Sequence, residues 1–255
     1  MDRRGTMKAM VLRELAGPLR LTEVPIPVPG PGEVRVRVRA TGVGLTVVIM
    51  TANPGLVTSF PRIPGHEVAG DVVELGPQVQ GVNAGERVAC HFYLTCGTCS
   101  FCRGGRETLC ERFGGYLGMA ADGGYAEYLV VPARNLCRIP EGVSYLEAAI
   151  AADAIATPLH ACREEARIGP GDRVLIVGAG GGVGIHAVQV AKLCGGWVIG
   201  ADVTDAKLDM VRAAGADETI DSRGEELSKQ VLARTGGRGV EAAIDFVSSS
   251  ETLQA

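Results

Sequence analysis

A chain of 255 residues with 46% hydrophobic and 21% charged side chains reads as soluble and globular, long enough for two modest cores. Its net charge of −4, without any long basic run, excludes the electrostatic footprint of a nucleic-acid or anionic-membrane binder and leaves a small molecule as the expected partner. The N-terminal MDRRGTMKAMVL lacks a signal-peptide core, no apolar stretch reaches membrane-spanning length, and eight cysteines without an export signal fit a reducing cytoplasm.

From Met7 to about Pro140 short β-like segments follow one another: KAMVL, LRLTEV, EVRVRVRA, EVAGDVVEL, ERVACHF and YAEYLVVP, separated by Gly, Pro and Asn. EVRVRVRA alternates strictly, so one of its faces is expected to be wet. VVIMTANPGLVTSF reads as an unusually apolar loop, which suits either an apolar or aromatic substrate or a place in the core. The many turns predict a compact, barrel-like β-rich domain over residues 1–145, with a cysteine loop at 90–112 as an excursion from it.

Within that loop Cys96, Cys99, Cys102 and Cys110 stand at C-x2-C-x2-C-x7-C, a spacing suited to a closed tetrahedral thiolate site for structural zinc. Disulfides are the alternative, although two-residue gaps strain them, and iron–sulfur ligation uses similar thiolates. Cys90, Cys137, Cys162 and Cys194 are scattered among apolar neighbours and are expected as small core residues.

After Ser144 the period becomes helical, and from Gly171 strands and helices alternate through residues 146–255. RVLIVGAG, WVIGADV, ETIDS and VEAAIDFV are nearly continuous apolar runs, as in a parallel, doubly wound Rossmann sheet covered on both faces. The first runs directly into Gly178, Ala179, Gly180, Gly181, Gly182, Val183 and Gly184, which open a helix. There backbone N–H groups can meet a pyrophosphate because no Cβ blocks its approach. The second run ends at Asp202, 18 residues beyond Gly184, where a carboxylate would bind the adenosine ribose hydroxyls and repel a 2′-phosphate. NAD(H) is therefore expected in preference to NADP(H).

Together, FPRIPGHEVAGDVVELG, the CGTCSFC loop, GGYAEYLVVPARN and the glycine-rich turn resemble the zinc-containing medium-chain dehydrogenase/reductase (alcohol dehydrogenase) family. The resemblance implies α/β plus β architecture: a GroES-like catalytic domain followed by a Rossmann domain, and hydride transfer between NAD(H) and an alcohol/carbonyl pair. It also implies a second, catalytic zinc, whose ligands in the family are a cysteine in G-V-C-x-[TS]-D, the histidine of G-H-E and a later Cys or Asp. Here His66 follows Gly65 in G-H-E and Asp153 matches the later position, but Gly44 stands for the cysteine and Val47 for the aspartate. His66, Glu67 and Asp153 would then be the ligands, with one nitrogen and two carboxylates, and Thr46 would keep the hydroxyl that passes the alcohol proton onward.

Without that zinc, Thr46 could bond a substrate carbonyl, which suits a zinc-independent NAD(P)H-dependent alkene or enone reductase. A catalytically inactive nucleotide-binding fragment is the third alternative. Family members are homo-oligomers that continue through two further strands and a return segment, so the end at Ala255 reads as a truncation that lacks the dimerisation edge.

Overall fold

The computed structural model describes residues 5–53, 55–57, 59–223 and 226–254. The chain divides into two compact units, Met1–Asp153 and Ala154–Ala255, so the division falls later than the expected 145/146 boundary. The elements of the first unit are strands β1 (Thr6–Val11), β2 (Arg20–Pro25) and β3 (Glu33–Thr41), helix α1 (Leu45–Ala52), strands β4 (Val68–Leu75) and β5 (Arg87–Cys90), the short helix α2 (Ser100–Arg103), strands β6 (Tyr128–Pro132) and β7 (Leu136–Arg138), and helix α3 (Tyr145–Ile150). Ala148 and Ala149 of α3 bury against Ala40 and Ala69 of the sheet, which keeps this helix with the first unit.

β1 and β2 form an antiparallel ribbon, and the other five strands make an antiparallel sheet in the order β6-β3-β4-β5-β7. The alternation in β3 has the expected consequence: Val34 and Val36 are fully buried, while Arg35 and Arg39 face outward to ion pairs with Glu74 and Asp71. The apolar segment read as a loop is instead partly helical, because the chain turns into α1 through a Val47 N–H bond to Gly44 O and buries Val47. Among the remaining thiols Cys90 and Cys162 are buried, as expected, whereas Cys137 is exposed on the edge strand β7 and Cys194 is half-buried.

The second unit contains α4 (Ala156–His160), β8 (Arg173–Val177), α5 (Gly184–Leu193), β9 (Trp197–Asp202), α6 (Asp205–Ala213), β10 (Glu218–Asp221), α7 (Leu227–Arg234), β11 (Ala242–Asp245) and α8 (Ser250–Gln254). Its sheet is wholly parallel, ordered β10-β9-β8-β11. Alternate residues of β8 enter different cores: Val174 and Ile176 pack with Val188, Val198 and Val211, while Leu175 and Val177 pack with Ile199, Ile220 and Val231. This two-sided burial explains the unbroken apolar runs, since a strand with no wet face has no polar positions to alternate. The order reverses direction at β8, so the carboxyl ends of β8 and β11 flank the crevice where such sheets bind ligands. No helix among the described residues is long and apolar enough to cross a membrane.

Ile176→Ala removes a fully buried side chain from a tightly packed face and is expected to lower unfolding stability by about 2–5 kcal/mol. Urea denaturation would measure it, and a loss below about 1 kcal/mol would contradict burial of both sheet faces.

Candidate active site and metal centre

The four sulfurs of Cys96, Cys99, Cys102 and Cys110 all lie within 4.8 Å of one another, and none of the eight cysteines is in a disulfide. Cys96 Sγ stands 3.9 Å from Cys102 Sγ, and Cys99 Sγ 3.4 Å from it. Tetrahedral zinc with its usual bond length needs sulfurs about 3.8 Å apart, so the loop is near that geometry. Backbone N–H groups support the thiolates: Thr98 and Cys99 donate to Cys96 Sγ at 3.5 and 3.4 Å, Cys102 donates to Cys99 Sγ, and Cys96 donates to Cys110 Sγ. The Cys96 thiol is held down to about 4 by the Thr98 N–H, Arg112 and the Cys99 N–H, whereas burial above all pushes the Cys102 thiol up to about 11. These donors suit a divalent cation bound by anionic sulfur.

His66 sits beyond a turn that only glycine accommodates readily. Gly65 has φ +99°, and a Cβ on it would lie 2.4 Å from the Tyr125 ring. Gly123, Gly124 and Tyr125 donate their N–H groups to Ile63 O, Gly65 O and Pro64 O at 2.7, 2.9 and 2.9 Å, fastening this turn to the glycine-rich segment. The His66 ring is buried against Phe92, with centroids 5.0 Å apart, and its Nε2 lies 3.0 Å from Asp153 Oδ2. Its Nδ1 is buried without a hydrogen-bond partner among the described residues. Asp153 reaches this position from a widened, π-helical turn over Ala151–Ile155, which interrupts the run of helix expected from the sequence.

The other expected catalytic residues do not complete a metal set. Among the described residues the four thiols are the one convergent group of three or more metal-ligating side chains. Glu67 is turned elsewhere: its carboxylate lies over Gly42, where an added Cβ would come within 1.9 Å of Oε2. Gly44 carries no donor, and a Cβ there would meet only Thr46 N, at 4.0 Å. Thr46 is half-buried in the first turn of α1. Catalytic zinc takes three protein ligands plus an open position, and His66 with Asp153 supplies two. The donor set here does not fit that ion.

In the second unit the glycine-rich turn closes on Asp202. This carboxylate is 4% exposed and accepts from the Gly180 N–H at 2.8 Å and the Val203 N–H at 2.7 Å, with Lys207 Nζ at 3.2 Å. A Cβ on Gly180 would strike Lys207 Cβ at 2.5 Å, and one on Gly184 would strike Gly178 O at 2.2 Å, so backbone and helix approach here as closely as a dinucleotide turn requires. At Gly182 an added Cβ meets nothing within 4 Å, leaving that part of the turn open, while a Cβ on Gly181 would lie 3.1 Å from Gly178 O. Val183 precedes the first residue of α5 and brings the turn to that helix N-terminus.

Sequence reasoning overlooked three features. Lys207 joins Asp202 through one turn of α6, a spacing visible in DVTDAK. Tyr93, which packs edge-on against Tyr116 at 5.0 Å, has its hydroxyl pKa raised by burial first and by Tyr116, with Asp153 adding to it. The aromatic run His91-Phe92-Tyr93 after β5 was its available signal. Arg112 beside Cys96 had none.

Residues 30–141 match the alcohol dehydrogenase GroES-like domain family, and residues 182–255 match the zinc-binding dehydrogenase family. An NAD-dependent alcohol dehydrogenase of Sulfurisphaera tokodaii is 35% identical over 256 aligned residues, covering 97% of this chain and 73% of that protein. The crystal structure of AibC aligns with a TM-score of 0.89 at 41% identity, over 99% of this chain and 71% of that one. The alcohol dehydrogenase of Aeropyrum pernix aligns with a TM-score of 0.89 at 36% identity, over 97% of this chain and 74% of that one.

Elemental analysis is expected to find about one zinc per chain, lost in a Cys96→Ser/Cys99→Ser variant, and about two in Gly44→Cys, where the added thiol completes a three-ligand set with His66 and Asp153. A parent chain already holding two zincs would refute the two-ligand account.

Proposed function

The chain belongs to the alcohol dehydrogenase family, and from that premise we propose how it carries out NAD-dependent interconversion of an alcohol and a carbonyl. The observation that carries the reading is the buried His66–Asp153 pair, a polar centre among aromatic side chains in the first unit, alongside a complete dinucleotide turn in the second. The coenzyme, when bound, supplies the hydride acceptor or donor. The turn from Gly178 to Gly184 would hold its pyrophosphate and Asp202 its adenosine ribose, with Lys207 beside the same hydroxyls.

Alcohol oxidation removes hydride from carbon and a proton from oxygen, so the chain must supply a proton acceptor. The Asp153 carboxylate orients the His66 imidazole at Nε2, and this pair receives the proton, as in other histidine–carboxylate pairs. Thr46 hydrogen-bonds the substrate oxygen, aligning it and sharing the charge that develops there. Glu67 has no part in proton transfer; it packs over Gly42 behind the turn. Cys96, Cys99, Cys102 and Cys110 would hold zinc, which there would brace the loop of the first unit.

Val43, Leu45, Val48 and Ile49 are exposed around Gly44, which supports an apolar alcohol or carbonyl as substrate. The buried Asp202 carboxylate favours NAD(H), because a 2′-phosphate would face its charge at close range. Eight free thiols support a reducing, cytoplasmic setting.

Absorbance of NADH, followed with a panel of apolar alcohols, ketones and enones, tests this reading. We expect alcohol oxidation, reduced about 100-fold or more in kcat/KM by His66→Asn at constant coenzyme affinity. Turnover of enones alone, or NADH binding without any turnover, would refute it. In a second test, Asp202→Asn is expected to shift the kcat/KM ratio toward NADP by about tenfold, the worth of one hydrogen bond to a charged group. An unchanged ratio would remove Asp202 from coenzyme discrimination.

A further inference from the structure

A zinc ion bound by four thiolates leaves a net charge of −2 in the loop, and that excess must be met by donors or cations close to sulfur. The backbone N–H groups of Thr98 and Cys99 meet part of it at Cys96. Cys96 is also the sulfur approached by a side-chain relay. Arg112 donates from its guanidinium to Thr98 Oγ1 at 2.5 Å, and the same hydroxyl donates to Cys96 Sγ at 3.6 Å. Arginines nearby are employed differently: Arg106 of the loop lies over the Phe101 ring at 5.0 Å, and Arg134, outside it, donates to Thr95 O.

We infer that Arg112 is a positioning residue for the metal, the counter-charge that retains zinc in the four-thiolate loop by acting on Cys96 through the Thr98 hydroxyl. The inference rests on the reading that these thiolates hold zinc. Partners of this kind behind metal ligands are worth about 10–100-fold in metal affinity. Loss of the cation exposes the excess negative charge, and loss of the hydroxyl alone breaks the relay while keeping the cation nearby.

The test is the rate of zinc release from the purified full chain into a chromogenic chelator, read at low salt and at about 1 M salt, where charges are screened beyond about 3 Å. In Arg112→Gln, zinc release is expected to be about 10–100-fold faster at low salt and nearly independent of salt. Arg112→Lys should recover most of the retention, and Thr98→Val should give an intermediate rate. Cobalt substitution reports separately on geometry: the thiolate charge-transfer and tetrahedral bands should persist in Arg112→Gln, as an intact loop requires. Release within about threefold of the parent rate in Arg112→Gln, or no recovery with lysine, would overturn the inference. A parent chain with no zinc to release would overturn the zinc reading beneath it.

Discussion

The first unit depends on a short backbone lock between two distant stretches of chain. The carbonyls of Ile63, Pro64 and Gly65 accept from the N–H groups of Gly123, Gly124 and Tyr125, and no side chain could be added at Gly65 or Gly123 without striking the other stretch. This lock sets where His66 points. It also explains the density of glycine around the turn, since two backbones can approach this closely only where Cβ atoms are missing. Tyr125 completes the arrangement by donating from its hydroxyl to Gly42 O, while the Gly42 N–H donates to Glu67 O. The Glu67 backbone is thereby tied into the same arrangement beside His66.

Asp202 has the corresponding role in the second unit. A buried carboxylate needs donors, and it takes them from the glycine-rich turn, from Val203 just past its own strand and from Lys207. The same three contacts tie β8, β9 and α6 together at the carboxyl end of the sheet. The group expected to recognise the ribose therefore also shapes the turn expected to receive the pyrophosphate. Any change at Asp202 acts on both.

Chemistry and structure are separated in the first unit. The four-thiolate loop gathers ligands from a contiguous stretch and surrounds them with N–H donors, as a closed structural metal site does. At the His66 centre Gly44 carries no donor, and a histidine and a carboxylate stand in direct hydrogen-bond contact. A histidine–carboxylate pair can accept a proton and orient an oxygen, so acid–base chemistry does not need a third donor there.

Much of this was legible in the chain as written. The thiolate spacing is local, so the loop could be read directly, and the alternation in β3 and the unbroken runs in β8 and β9 record which faces meet water. The glycine turn and Asp202 follow from short-range spacing in the same way. What tertiary structure alone decided were contacts between distant positions: Asp153 meeting His66 across 87 residues, Glu67 turning to Gly42, and Arg112 reaching Cys96 through Thr98. Helix α1 belongs with these, since its β-branched residues favour extended chain, and burial of Val47, its turn bond to Gly44 and the Ala16 N–H bond to Thr51 O favour the helix. Local pattern determines elements and ligand spacing because the chain's own geometry sets them, whereas the direction of a side chain is set by whatever packs against it.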